Sequence, residues 1–423
     1  MSFLRAYSSV DAGDPRATAA ARVALTRAWM ASRPHALFAE LRQDHPIFPT
    51  PAFVLLTRHA EVREVLLRDD VFVATPQVER LQPVLGGVLG GADGPTHERE
   101  AAALRLAIRR ADLDAIAASA ERAAGVALAA GRRGSRVDAI AGLARPIVAD
   151  FVASYLGVAG PEPEILLQWA RTLARAAFCD DGDDPQFFDA AQEAAAELGG
   201  YIDVRVALRR TQIAVGGPAG DDALGRLLAL QSAEHARLED RRVRDILVGV
   251  ITCAVEPTIA AAAHAIHELA RRPVVQARAA QALADGDAAA LAAIVAEALR
   301  FAPPPWTPAR VCTQAFTLAR GSVHEIVLRP GTRVLASTFS ADFDPAAQDD
   351  PELFRPGRTT YQPLHFGGGL HACVGRHVAP VLLRAAVTAL LRVGPVRPAD
   401  EAADGPRLAD GPFPTALPLE LAT

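Results

Sequence analysis

Residues 365–376 read His-Phe-Gly-Gly-Gly-Leu-His-Ala-Cys-Val-Gly-Arg, and no other stretch of the chain is as informative. This glycine-rich loop leads into a helical pattern over residues 378–391, so the thiol of Cys373 lies close to the start of a helix. The helix dipole and the free N–H groups of a first turn stabilise a thiolate there. Glycine also lets loop backbone approach a flat ligand closely. The stretch therefore predicts a thiolate ligand, with a buried structural cysteine as the alternative.

Composition narrows the class of protein. Half of the 423 residues are apolar, and alanine-rich runs favour a mainly helical fold. A net charge of -5 gives no reason to expect a nucleic-acid partner. The chain shows neither a secretory leader at its start nor about 18 uninterrupted apolar residues, so we expect a cytoplasmic protein without a membrane span. Its four cysteines lie far apart without a CxxC pair, which argues against a disulfide framework or a zinc site.

Hydrophobic periodicity organises the chain into helices followed by short strands. The longest helix is predicted over residues 240–271, and because it is apolar nearly all round it should run through the body of the protein. Further helices are predicted at 34–42, 60–67 and 287–301, with strands at 53–57, 316–318, 325–328 and 333–336. Neither an internal repeat nor a linker is evident, so we predict one domain over residues 1–423.

The pattern Phe366-x-x-Gly369-x-His371-x-Cys373-x-Gly375 resembles the haem-binding signature of the cytochrome P450 superfamily at every fixed position. The resemblance is to the soluble, bacterial members. It implies haem b, iron protoporphyrin IX, with Cys373 as the axial iron ligand, whose electron donation favours O–O cleavage. It also implies that Phe366 packs near the sulfur and that His371 reaches a haem propionate.

Further motifs follow in the order that the family shows. Glu297-x-x-Arg300 resembles its Glu-x-x-Arg, and the arginine of residues 351–358, Arg358, would complete a buried structural Glu-Arg-Arg network. Arg310 and His97 resemble the family's partners of the haem propionates. The guanidinium fork of an arginine is well suited to binding a carboxylate. The family commonly has an arginine four residues after that histidine, whereas this chain has Ala101, with Arg99 and Arg105 nearby.

The long helix contains the departure that matters most, Cys253-Ala254-Val255-Glu256-Pro257-Thr258. The family usually shows Ala-Gly-x-Glu/Asp-Thr, in which the acid and the alcohol relay protons. Aligning acid with acid makes Glu256 the relay acid and puts Pro257, which lacks a hydroxyl, in place of the alcohol. Shifting the alignment by one residue puts Thr258 there instead. We favour the first alignment, because Glu256 would otherwise be a charge without a role on an apolar helix. Proline also removes the backbone bond to Cys253, which predicts a local opening.

The resemblance implies a mainly α fold with small β-sheets, the cytochrome P450 fold, with haem between the long helix and the Cys373 loop. The expected activity is a monooxygenase that oxidises a small or medium hydrophobic molecule, with electrons from a ferredoxin and ferredoxin reductase. Two alternatives stay open. One is a peroxide-using or hydroperoxide-rearranging enzyme, an alternative that Pro257 in place of the alcohol favours. The other is a haem protein that only binds or senses a ligand.

By position in the family pattern, four largely apolar segments should line the substrate pocket. They are residues 75–89, 250–258, 303–307 with Trp306, and 412–415.

Overall fold

The structure, a computed structural model, describes residues 2–74, 81–82, 84, 94–131, 134–160, 162–178, 185–231, 238–302, 307–359, 362–400, 405–408 and 412–421. It is mainly α-helical with small β-sheets, as the sequence predicted. The chain forms two compact units, each assembled from separated segments. The first comprises Met1–Gln77, Trp306–Phe354 and Arg358–Cys373, and the second Val78–Pro305, Arg355–Gly357 and Val374–Thr423. That these form a single domain stays a prediction.

In the first unit, strands distant in sequence form one five-stranded sheet. Its order is Ile47–Pro49, Val54–Leu56, Arg333–Ala336, Ala309–Cys312 and Phe72–Val73. Val54–Leu56 pairs in parallel with Arg333–Ala336, and the other neighbours pair antiparallel. Phe316–Leu318 and Ile326–Leu328 form a separate hairpin, although Arg333–Ala336 follows them directly in the sequence. Local patterns do not report pairing between distant segments.

Five helices of the described chain complete this unit: Phe3–Ser8, Pro15–Ser32, Pro34–Asp44, His59–Leu67 and Thr338–Ala341. Pro15 and Pro34 each begin a helix, where a missing N–H costs no hydrogen bond. From the helix His59–Leu67, the side chains of Val62, Val65 and Leu66 pack in one buried cluster with sheet residues and with Leu364. This helix therefore lies beside the segment that leads to Cys373.

The second unit holds the longer helices and two small sheets. The helices are Pro95–Ala107, Leu113–Gly131, Arg145–Asp150, Pro163–Phe178, Pro185–Ala214, Ala223–Leu230, Asp240–Ala270, Pro273–Ala284, Ala288–Arg300 and Ala379–Val393, with π-helical turns at Ile140–Ala144 and Phe151–Tyr155. The sheets are Arg136–Asp138, Pro418–Leu421 and Val396–Pro398, and the pair Arg407–Leu408 with Pro414–Ala416. The long helix Asp240–Ala270 packs against Pro163–Phe178, Pro185–Ala214, Ala288–Arg300 and Ala379–Val393. Its burial was predicted from its apolar circumference.

Among the residues that the structure describes, two helical segments are long and apolar enough, by length and composition, to cross a membrane: Asp240–Ala270 and Val374–Val393. The most apolar window of the first is 72% buried inside the protein, and that of the second 50%. Such burial is typical of core helices, so this evidence for a membrane span is weak.

Candidate active site

The cysteine loop, residues 365–373, is held by backbone contacts at both ends. At its start, the N–H of Leu364 donates to Oδ1 of the buried Asp342 at 2.9 Å. At its end, the N–H of Cys373 donates to the carbonyl oxygen of Phe366 at 2.9 Å. A 3-10 turn, Val374–His377, follows Cys373 directly, and the α-helix begins at Ala379. Cys373 forms no disulfide and is exposed, which suits a metal ligand better than the alternative of a buried structural cysteine.

Gly369 is required by the protein's own backbone. Its φ of +66° lies in the left-handed region that favours glycine, and a Cβ there would overlap the carbonyl oxygen of Leu66. The next residue, Leu370, donates its N–H to Asp69 Oδ2 at 3.0 Å. Sequence reasoning assigned this glycine to the approach of a flat ligand and missed Asp69, which lies some 300 residues earlier in the chain. Gly375 lies in the 3-10 turn after Cys373, where its carbonyl accepts from Val378 at 2.9 Å.

The other residues assigned to haem are divided between the two units. In the first unit, Phe366 and His371 are half-buried in the cysteine loop, and Arg310 is buried in the strand Ala309–Cys312. In the second, His97 is 4% exposed on the helix Pro95–Ala107. Ala101 is fully buried one turn later, so this helix has no arginine at the position where the family commonly has one.

This set of side chains fits a haem group. Within the described ranges, no group of three or more His, Cys, Asp or Glu side chains could hold a bare metal ion. A lone thiol suits a metal that arrives within a macrocycle. Arg310 and His97 are buried and carry N–H donors, which suit the carboxylate groups of haem propionates.

From Asp245 to its end, the long helix is buried except for one stripe. The partly exposed residues between its middle and its last turns recur every three or four positions, and so share one face: Val250, Cys253, Ala254, Pro257, Ala261 and His264. Glu256 is 1% exposed and Thr258 8%. Pro257, and not Thr258, therefore belongs to the partly exposed face. The α-helix continues through Pro257, so the local opening predicted from the sequence does not interrupt it.

Glu256 is a buried acid whose environment favours its protonated form. Burial raises the pKa of its carboxyl group, and the nearby positive charges of Arg171 and then Arg145 lower it by less. Nη2 of Arg171 lies 3.4 Å from Oε2 of Glu256. The same nitrogen donates to the carbonyl oxygens of Phe413 at 3.1 Å and Pro414 at 3.0 Å. Sequence reasoning missed Arg171, because nothing in the local pattern of its helix distinguishes it from other arginines.

Glu297 and Arg300 form the buried pair that the i,i+3 spacing predicted. Arg300 donates to both carboxylate oxygens of Glu297, at 3.0 and 2.9 Å, and neither residue is more than 5% exposed. The N–H of Arg355 donates to the same carboxylate at 2.8 Å. Arg358 donates to the carbonyl oxygens of Asp349, Asp350 and Leu353, which hold the turn before it. Its place in a network with Glu297 stays a prediction.

The predicted pocket segments are described in part. Residues 75–80, 83, 85–89 and 303–306, including Trp306, lie outside the described residues. Within the first segment, Leu81 and Val84 are buried. In the last, Phe413 and Pro414 are buried, whereas Pro412 and Thr415 are partly exposed.

Comparison with known proteins identifies the family. The family model described as cytochrome P450 matches residues 183–402. Among curated relatives, the chain is 27% identical to the mycinamicin IV hydroxylase/epoxidase of Micromonospora griseorubida over 80% of this chain and 81% of that one. It is 25% identical to the 6-deoxyerythronolide B hydroxylase of Saccharopolyspora erythraea, over 84% and 86% respectively.

Solved structures agree in fold. CalO2 superposes with a TM-score of 0.79 at 22% identity, covering 93% of this chain and 97% of that one. The cytochrome P450 TbtJ1 superposes at 0.78, also with 22% identity, over 92% and 97%. These matches confirm the fold predicted from the Cys373 motif. With the matching family model and the hydroxylase relatives, they show that the chain belongs to the cytochrome P450 family and is a cytochrome P450 monooxygenase.

Proposed function

We propose that the Cys373 thiolate binds the iron of haem b and that the enzyme inserts one atom of dioxygen into a small or medium hydrophobic molecule. The observation that carries this proposal is the exposed Cys373 thiol, at the end of a loop closed by its own backbone. When bound, the haem supplies the oxygen-activating chemistry. Phe366 packs near the sulfur, while His97, Arg310 and His371 bind the propionates.

The protein's own contribution on the oxygen side centres on Glu256. A carboxyl group with a raised pKa holds a proton at a pH where an exposed glutamate has lost it. The exposed stripe supports the alignment of acid with acid, because it contains Pro257 and not Thr258. Glu256 then supplies protons without the neighbouring alcohol that the family usually provides.

The substrate class follows from the stripe and from the relatives. Val250, Ala254, Pro257 and Ala261 give the stripe an apolar surface, which favours an uncharged, hydrophobic ligand. The named relatives hydroxylate mycinamicin IV and 6-deoxyerythronolide B, and we assign this chain to oxidation of a comparable bacterial secondary metabolite. Electrons come from a ferredoxin and its reductase, and the enzyme works in the cytoplasm.

The carbon monoxide spectrum of the reduced protein tests the central assignment. A thiolate opposite the gas gives the red-shifted Soret band typical of the family, and Cys373→Ser should abolish it. Cys253→Ser is the matched control, because it removes the other exposed thiol of the described chain and should leave the band in place. Persistence of the band in Cys373→Ser would refute the assignment.

Peroxide as the oxidant is a second candidate, favoured by Pro257 on the partly exposed face. Peroxide arrives already reduced and protonated, so it places less demand on a relay that lacks its alcohol. Fast turnover with peroxide and slow turnover with a ferredoxin system, with that preference reversed by Pro257→Thr, would replace the dioxygen proposal.

A further inference from the structure

Arg171 connects three elements of the second unit. It lies on the helix Pro163–Phe178, and Glu256 lies on the long helix. The third element is the C-terminal segment, residues 412–415, which leads into the strand Pro414–Ala416. Nη2 of Arg171 faces the Glu256 carboxylate and the carbonyl oxygens of Phe413 and Pro414.

Nη2 of Arg171 donates to the two carbonyl oxygens and not to the carboxylate. Nε of Arg171 is buried and has no hydrogen-bond partner among the described residues, so it is the carbonyl contacts, and not a shortage of N–H groups, that set the position of the guanidinium. The two carbonyls take the short contacts, at 3.1 and 3.0 Å, while Oε2 of Glu256 lies at 3.4 Å and accepts no hydrogen bond from the described residues. Arg171 therefore acts on Glu256 through its charge and not through a hydrogen bond, and loss of the carbonyl contacts lets the guanidinium turn towards the carboxylate.

The position of the C-terminal segment is set by the same two helices. The Phe413 ring is fully buried in a cluster with Ala174 and Ala260. Ala174 lies one turn after Arg171, and Ala260 one turn after Glu256. Pro412 and Thr415, on either side of the buried pair, are partly exposed, so a ligand in contact with them can shift the segment.

We propose that Arg171 is a positioning residue that couples the C-terminal segment to the Glu256 carboxyl group, so that a ligand displacing the segment transfers Arg171 N–H donors from carbonyls to carboxylate. This inference rests on the proposed function, since it deepens the role given there to Glu256. A displaced segment favours the carboxylate, and the segment in place favours the proton-bearing acid.

Few other charges act on Glu256. Arg145, from the helix Arg145–Asp150, favours the carboxylate in the same direction as Arg171 but more weakly. Residues 412–415 are uncharged. The helices Pro185–Ala214, Ala288–Arg300 and Ala379–Val393 also pack against the long helix, and none of their described residues contributes a charge that shifts this pKa.

Infrared titration of the resting, haem-loaded protein tests the coupling. The protonated-carboxyl band that disappears in Glu256→Gln belongs to Glu256, and its pH midpoint is followed in variants. Arg171→Ala should raise the midpoint by about one unit or more, because an opposite charge within about 4–6 Å lowers a carboxyl pKa by roughly 1 to 3 units. Arg171→Lys should return it towards the wild-type value. Arg175→Ala is the matched control on the same helix and should leave it unchanged.

A variant at Phe413 tests whether the C-terminal segment, residues 412–415, influences Glu256. Phe413→Leu loosens the buried ring while keeping an apolar side chain, and should lower the midpoint below that of the wild type, as Arg171 turns to the carboxylate. An unchanged midpoint in Arg171→Ala overturns the proposal. A shift in Arg171→Ala with none in Phe413→Leu overturns the coupling.

A second variant of Arg171 covers the case in which the first does not bind haem. If Arg171→Ala fails to load haem, Arg171→Gln removes the charge while keeping an N–H donor for the carbonyls, and the same rise is expected. The titration involves no turnover, so its failure is distinct from failure of the proposed function, which the carbon monoxide band of Cys373→Ser decides.

Discussion

Two glutamate–arginine pairs in the second unit share their chemistry and differ in geometry. Glu297 and Arg300 are both buried and joined by two hydrogen bonds, with a third from the N–H of Arg355. Glu256 is equally buried, but its partner Arg171 is 25% exposed and gives its hydrogen bonds to carbonyl oxygens.

The difference in geometry separates a glutamate with a structural role from a glutamate that can exchange a proton. A carboxylate that accepts three hydrogen bonds serves to hold elements together. A carboxylate near an arginine that donates elsewhere is free to take up a proton. The two roles follow from where the arginine N–H groups point and not from the residue types.

The largest expected effect is on the structural pair. Glu297→Ala removes the carboxylate that pairs with the buried Arg300, and breaking a buried ion pair in this way costs roughly 3 to 5 kcal/mol. We expect little haem-loaded protein and a correspondingly lower free energy of unfolding in urea. Glu121→Ala breaks the exposed pair with Arg392 and should cost less than about 1 kcal/mol. A stable, haem-loaded Glu297→Ala protein that had lost only turnover would contradict the structural role given to Glu297.

Turnover should respond to the other glutamate. Glu256→Gln keeps the shape and the neutrality of the protonated acid but cannot release a proton, so dioxygen-driven product formation should fall by about 10²-fold. The yield of folded, haem-loaded protein should stay near that of the wild type. Thr258→Ala is the control and should change turnover little, because Thr258 lies off the partly exposed face. The opposite ranking of the two variants would favour the shifted alignment.

Restoring an alcohol beside Glu256 gives a smaller, positive effect. Pro257→Thr should raise the coupling of reductant to product severalfold, because it supplies the missing member of the proton relay. It also restores a backbone donor to Cys253 and reshapes the apolar stripe. Substrate affinity must therefore be measured by titration, separately from coupling.

The smallest effect is on the pH dependence of stability. The pKa of Glu256 is raised on folding, so the folded protein holds this proton more tightly than the unfolded chain does. The stabilisation is fully present below the unfolded-state value near 4.3 and is lost as pH rises through the folded pKa. Wild type should therefore lose stability relative to Glu256→Gln across that interval, as urea unfolding at a series of pH values would show. A difference independent of pH would contradict the raised pKa.

Sequence reasoning succeeded where structure is local. The long helix, the start of the helix Ala288–Arg300 and the Glu297–Arg300 pair all depend on spacings of a few residues, which the chain states directly. The family resemblance supplied the fold, which the comparisons confirmed. It also supplied the role of Cys373, which stays a prediction.

What the sequence missed is non-local. Arg171 meets Glu256 and Phe413 from positions more than 80 and 240 residues away. Asp69 and Leu66 constrain Gly369 from some 300 residues earlier. No periodicity or capping pattern encodes such contacts, because they arise only when distant elements pack.

The parallel pairing of Val54–Leu56 with Arg333–Ala336 has a consequence for how the protein matures. It joins segments about 280 residues apart, so the five-stranded sheet cannot close on the ribosome until most of the chain has been synthesised. Closing so large a loop carries an entropic cost before any contact compensates it, which makes this step slow. Cys373 lies still later in the chain than Arg333–Ala336. A ligand held by its thiol is therefore bound only after both of these strands have been synthesised.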